Sequence, residues 1–123
     1  MGIVLNMETE SIKSEDRCVG KKLAPYNPVS PQSYEIIFNL FAFNKNEIFY
    51  DLGCGNGELL IKSLLVYDNL LDACIGVEYD KVYYDRAIEN VTKTFGTSNN
   101  HKIKIIHDNV LNIDISNATG IYF

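Results

Sequence analysis

The sequence predicts an α/β fold built on a parallel sheet with flanking helices. Short apolar runs rich in β-formers alternate with longer segments of helical period. The connections between them are long enough for crossovers and too long for hairpins. A glycine-rich turn, Gly53-Cys54-Gly55-Asn56-Gly57, joins one apolar run to the helical segment after it.

The 123 residues hold one domain with little room for a second. Hydrophobic residues at 46% and charged residues at 22% are ordinary for a globular chain and exclude wholesale disorder. Sixteen acidic against eleven basic residues give a net charge of -5, which makes sequence-blind binding to nucleic-acid phosphates a poor expectation. Cys18, Cys54 and Cys74 are an odd number at wide spacing. They exclude a disulfide framework, offer no metal-ligand spacing and fit a reducing compartment such as the cytoplasm. No apolar run approaches the roughly 20 residues that cross a bilayer, so no membrane partner is expected. The acidic residues after Ile3-Val4-Leu5 do not suit a secretory signal.

Residues 1–24 read as a polar N-terminal arm, and residues 25–123 as the folded domain. Ser30-Pro31 marks a helix start, with Ser30 as N-cap and Pro31 in the first turn. Tyr34, Ile37, Phe38 and Phe41 then fall on one helical face. Ile48 to Leu52 is a buried strand, and Glu58 to Tyr67 a helix burying Leu60, Leu64 and Tyr67. Ala73 to Val77 is a second strand, ending at Glu78. Asp80 caps a helix that runs to about Phe95 with Tyr84, Ile88, Val91 and Phe95 inward, and Gly96 stops it. Ile103 to His107 is a third strand, and Ile121-Tyr122-Phe123 opens a fourth. A doubly wound sheet usually has five or more strands. The chain therefore reads as the front half of a larger domain, and an apolar strand left at its edge predicts a homodimer through that edge.

The glycine turn lets the chain reverse sharply and lets a ligand approach the backbone. Its G-x-G-x-G spacing is not the G-x-G-x-x-G of nicotinamide and flavin proteins, because Glu58 stands where the last glycine would be. Nor does it carry the Gly-Lys-Ser/Thr of a nucleotide-triphosphate loop. Asp51, at the strand end before the turn, suits a ligand bearing an ammonium or sulfonium charge. Glu78, 21 residues after Gly57 at the end of the second strand, can accept both hydroxyls of a ribose. Asp108, at the end of the third strand, can accept from an exocyclic amine such as that of adenine. Three acids at the carboxyl ends of three successive strands converge on one crevice.

These motifs resemble those of the class I, seven-strand S-adenosylmethionine-dependent methyltransferases, whose domain is a Rossmann-like parallel sheet. Asp51-Leu-Gly53-Cys-Gly55-Asn56-Gly57 is similar to their first motif, Gly76-Val-Glu78-Tyr79-Asp80 to the second, and His107-Asp108-Asn109-Val110-Leu111 to the third. The resemblance implies S-adenosylmethionine as cofactor, S-adenosylhomocysteine as product and a methyl-acceptor substrate as partner. It places Asp51 toward the cofactor's amino end and the backbone of Gly53, Gly55, Asn56 and Gly57 along its methionine and ribose. Glu78 and Tyr79 fall at the ribose, with Asp108, Asn109 and Val110 at the adenine. Tyr26-Asn-Pro-Val-Ser-Pro31 is similar to the segment that leads into the first helix in two protein-lysine branches of that superfamily. That likeness implies a protein lysine as acceptor and Tyr26 as a closer of the methionine end. Tyr26, Tyr122 and Phe123 are the candidate aromatic walls for an alkylammonium. No residue stands out as a general base, and a catalytic residue is not assigned. The other reading is a non-catalytic cofactor-binding module or partner subunit; a nicotinamide-binding half-domain is disfavoured by the spacing.

Overall fold

The computed structural model describes residues 3–5, 30–97 and 102–123. Among these residues five strands and three α-helices follow in chain order: β1 (Ile3–Leu5), α1 (Pro31–Phe41), β2 (Glu47–Leu52), α2 (Glu58–Tyr67), β3 (Leu71–Glu78), α3 (Lys81–Phe95), β4 (Ile103–His107) and β5 (Gly120–Tyr122). A single 3₁₀ turn, Val110–Asn112, interrupts the connection between β4 and β5.

Each helix begins and ends where local chemistry directs it. Ser30 is extended ahead of Pro31, and its carbonyl accepts from Ser33 N–H at 2.9 Å. Its hydroxyl pairs with the Ser33 hydroxyl and makes no cap to the backbone. Tyr34, Ile37, Phe38 and Phe41 are buried as the period requires. The helix stops at Ala42, which turns left-handed (φ 48°) and returns its N–H to Phe38 O. Asp80 caps α3 by accepting from Val82 N–H, and Gly96 ends it. The inward face of α3 differs in one position from the expected one. Ala87 is fully buried, whereas Ile88 is 38% exposed. The helix approaches the glycine turn too closely for a larger side chain, so the small residue faces in.

All strand pairs are parallel, in the order β1-β5-β2-β3-β4. The three helices pack on one face of this sheet. Phe49, Cys74, Ile103, Ile105 and Tyr122 from the strands join Ile37, Phe38, Phe41, Leu60, Leu64 and Ala87 in one apolar core. Each fully buried large side chain contributes about 1.5–3 kcal/mol. Phe41 meets Phe49 edge-on at 4.9 Å and stacks on Phe43 at 5.5 Å. Gly120 makes room for that ring, since a Cβ there would lie 3.1 Å from Phe41 Cδ1.

Two close approaches set the sheet against α2. A Cβ on Gly76 would lie 2.6 Å from Leu60 Cδ1 and 2.7 Å from Cys54 Sγ, both buried. We therefore expect Gly76→Ala to lower the unfolding free energy by about 1–3 kcal/mol, read as a shifted urea midpoint at an unchanged slope.

The edge of β5, expected to be open, is taken by β1 of the same chain. Ile3, Val4 and Leu5 stand opposite Gly120, Ile121 and Tyr122. These three residues lie within the segment read as a polar arm; the rest of it lies outside the described residues. No helix among the described residues is long and apolar enough to cross a membrane.

Candidate functional site

The strand order extends from β2 through β3 to β4 and then reverses, placing β5 on the other side of β2. In open parallel sheets the crevice at such a reversal, outside the carboxyl ends of the strands, is where ligands bind. Asp51 lies at this point. Its register neighbours are Gly76 on β3 and Tyr122 on β5.

The glycine turn leaves β2 here and is anchored on two sides. On the β3 side, the amides of Gly53 and Cys54 both donate to Val77 O, at 2.7 and 3.0 Å. The Gly55 amide donates to Glu78 Oε1 at 2.7 Å. Gly53, Gly55 and Gly57 all have positive φ. At Gly57 (φ 82°) a Cβ would also sit 3.3 Å from Ala87 Cβ, so both conformation and space select glycine. On the helix side, Asn90 Nδ2 donates to Asn56 O at 2.9 Å. Asn56 Nδ2 donates to Glu58 Oε2, and Tyr34 OH donates to Glu58 Oε1 from α1.

Asp51 is 3% exposed, and no hydrogen bond reaches its carboxyl among the described residues. Burial, reinforced by the Glu78 carboxylate, pushes its pKa up to about 8. An acid at this position holds its proton near neutrality unless a cation takes the proton's place. Glu78 is half-buried, with Oε1 on Gly55 N–H and Oε2 on Asp80 N–H. Each of those oxygens has a further lone pair for a hydroxyl donor. The Cys54 thiol is raised well above its ordinary value by burial and by Asp51 and Glu78, so it stays a thiol. Cys74 is likewise pushed up to about 11, chiefly by burial.

Asp108 follows β4, where its amide donates to Glu78 O at 3.2 Å. Asn112 Nδ2 and the Asn109 amide both donate to its Oδ1 and hold its pKa below the usual carboxylate value. Asn109 Oδ1 in turn accepts from Leu111 N–H and starts the 3₁₀ turn with Val110 exposed. Tyr79 is 64% exposed, and its carbonyl lies 3.1 Å from His107 Nε2.

The structure thus brings the turn Gly53, Gly55, Asn56 and Gly57 together with Glu78, beside the Asp51 carboxyl that is unbonded among the described residues, with Asp108 tied to the edge through Glu78 O. Tyr79, Asn109 and Val110 flank it at the strand ends. Tyr26 lies outside the described residues. Tyr122 is packed in the core, whereas Phe123 is 40% exposed at the end of β5. The reading of the residues missed the partners of the turn. Tyr34 was legible only as a core residue, and Asn90 carries no periodic signal. Ala87 one turn before it was the one hint, a small residue at a position facing in.

No family model matches the chain. Over 95 residues it is 27% identical to a protein-lysine N-methyltransferase of Saccharolobus islandicus (strain REY15A), covering 77% of this chain and 56% of that protein. An RNA methyltransferase from Salinibacter ruber, solved with S-adenosylhomocysteine, superposes with a TM-score of 0.67 at 20% identity over 77% of this chain and 58% of that one. An S-adenosylmethionine-dependent methyltransferase from Thiobacillus denitrificans, solved with the same molecule, gives 0.55 at 16% identity over 74% and 34%. The chain spans between a third and three fifths of the length of these relatives. The fold is that of the class I methyltransferases, as the three motifs led one to expect.

Proposed function

We propose that this chain forms the S-adenosylmethionine-binding part of a methyltransferase that acts on a protein lysine. The observation that carries the reading is Asp51: a buried carboxyl beneath the glycine turn, unbonded among the described residues and beside a second carboxylate. In its ionised form such a group needs a cationic partner. The ammonium of the cofactor's methionine end has the matching charge. Glu78 would accept the ribose hydroxyls on its remaining lone pairs, as charge-assisted hydrogen bonds. Asp108 Oδ2, which meets no donor among the described residues, suits the exocyclic amine of adenine. The backbone of Gly53 to Gly57 would lie along the ligand, since the glycines there carry no side chain to exclude it.

The bound cofactor supplies a methyl group already activated on a sulfonium sulfur. What remains for the chain is to hold the donor in line, exclude water and receive an acceptor amine in its neutral form. Phe123, exposed at the end of β5, is the aromatic residue placed to meet an alkylammonium. A lysine acceptor is supported by the Saccharolobus islandicus relative and by the motif before α1. The Salinibacter ruber neighbour acts on RNA, but a net charge of -5 favours a basic peptide over a phosphate backbone. Two free, buried cysteines fit a reducing compartment, and the cytoplasm is the reading we adopt.

Calorimetric titration with S-adenosylhomocysteine, with NAD as control, tests the proposal. Saturable binding of the first and none of the second is expected. A folded chain that binds neither ligand sinks it.

A further inference from the structure

Three glycines at positive φ give the turn no conformational preference of its own, so its shape must come from contacts. On the β3 side those contacts are backbone and Glu78 bonds, and they end at Gly55. The second half of the turn has a different support. Ala87 and Asn90 lie one helical turn apart on one face of α3. Ala87 forms a floor under Gly57, 3.3 Å from where a Cβ would be, and is fully buried. Asn90, half-buried beside it, donates from Nδ2 to Asn56 O at 2.9 Å. That bond draws the carbonyl of the Asn56–Gly57 peptide toward α3. The Gly57 amide of the same peptide donates to Cys54 O at 3.0 Å and closes the turn. The peptide plane is thus held at both ends, by Cys54 O and by Asn90.

Without Asn90 the Cys54 bond to the Gly57 amide and the Ile61 bond to the Gly57 carbonyl remain, but the Asn56 carbonyl loses its tie to α3, next to a glycine free to adjust its backbone. A rotated plane would move the Asn56 carbonyl away from α3 and change which backbone groups border the crevice. We infer that Asn90 is a positioning residue for the candidate cofactor site, a latch that fixes the Asn56–Gly57 peptide from α3 without touching the ligand. The inference rests on the methyltransferase reading proposed above. It extends that reading to α3, a helix outside the three motifs.

The test uses the full chain and S-adenosylhomocysteine as probe, in Asn90→Asp, Asn90→Ala and the neighbouring exposed control Glu89→Ala. Asn90→Asp keeps the shape and removes the donor, while Asn90→Ala is favourable to the helix, so both should fold. Affinity should fall about five- to tenfold in both Asn90 variants, the loss of one hydrogen bond's worth of preorganisation, and stay at the wild-type value in Glu89→Ala. Amide exchange at Gly57 and Glu58 in the ligand-free chain should quicken in the Asn90 variants while the strand amides keep their protection. That readout is independent of ligand and would not change selectively if Asn90 merely stabilised α3. Wild-type affinity in both Asn90 variants, or equal losses in Glu89→Ala, would overturn the inference. Failure of the wild-type chain to bind S-adenosylhomocysteine overturns the reading beneath it and is seen before any variant is made.

Discussion

Asp51→Asn should stabilise the ligand-free chain at neutral pH and at the same time impair its binding site. In the unfolded chain Asp51 ionises near 3.8; in the folded chain burial and Glu78 raise that value to about 8. Between those two values the folded state holds a proton that the unfolded state has released. Unfolding then loses a proton, so stability falls as pH rises. The contribution of Asp51 is fully present below about pH 3.8, declines through the window and is gone above about 8. Each pH unit inside the window costs about 1.4 kcal/mol. At pH 7 a neutral amide of the same shape avoids that penalty, so Asp51→Asn should raise the unfolding free energy by about 2–4 kcal/mol. Urea denaturation of the two chains at pH 5, 7 and 8.5 measures it. The gap should be narrowest at pH 5 and widest at 8.5, and a gap independent of pH would show that Asp51 is not the titrating group.

The same substitution should weaken S-adenosylhomocysteine. If an ammonium replaces the proton, binding at pH 7 releases close to one proton, about 0.9 for a group titrating near 8. Calorimetry in buffers of different ionisation heat counts it directly. The wild-type chain should show the release and Asp51→Asn should not. A site that becomes more stable as it loses an ionisable group is a site whose strain serves binding.

Glu78→Ala should cost about 1.5–3 kcal/mol of affinity for S-adenosylhomocysteine, from the lost charge-assisted bonds to the ribose hydroxyls. The structure adds a second consequence. Glu78 also holds the Gly55 and Asp80 amides and faces Asp51. Its removal frees the first half of the turn and lowers the Asp51 pKa, since one of the two causes of the rise is gone. The pH window of stability in Glu78→Ala should therefore narrow from its upper end. The double variant with Asp51→Asn should lose less affinity than the two single losses added, because the groups share one electrostatic environment. Unchanged affinity in a folded Glu78→Ala chain would remove Glu78 from the site.

Legibility followed the range of the interaction. The faces of α1 and α2 could be read because burial repeats with the helix and Tyr34, Ile37, Phe38, Phe41, Leu60 and Leu64 record it. The starts of α1 and α3 could be read because Ser30-Pro31 and Asp80 act on their own neighbours. Glu78 and Asp108 could be placed at strand ends because strand length follows from the apolar run. Ile88 was misread for the opposite reason. Apolar period alone cannot register that Gly57 of another segment has come within a Cβ's reach of α3. Phe43, beyond the end of α1, meets rings from α1, β2 and α2 in the core.

By itself the sequence determined the elements from α1 to β5, their parallel order of crossovers, and the acids that end three strands in phase with a glycine turn. These are local properties, set by side-chain period, capping and chain stiffness. Only the tertiary structure decided that Ile3–Leu5 closes the edge of β5. It alone placed Asp51 in a buried spot without a hydrogen-bond donor among the described residues, and seated the turn on Ala87 and Asn90. Each of these depends on groups far apart in the chain meeting in space. Desolvation, close approach and a carbonyl's choice of donor exist only once they have met.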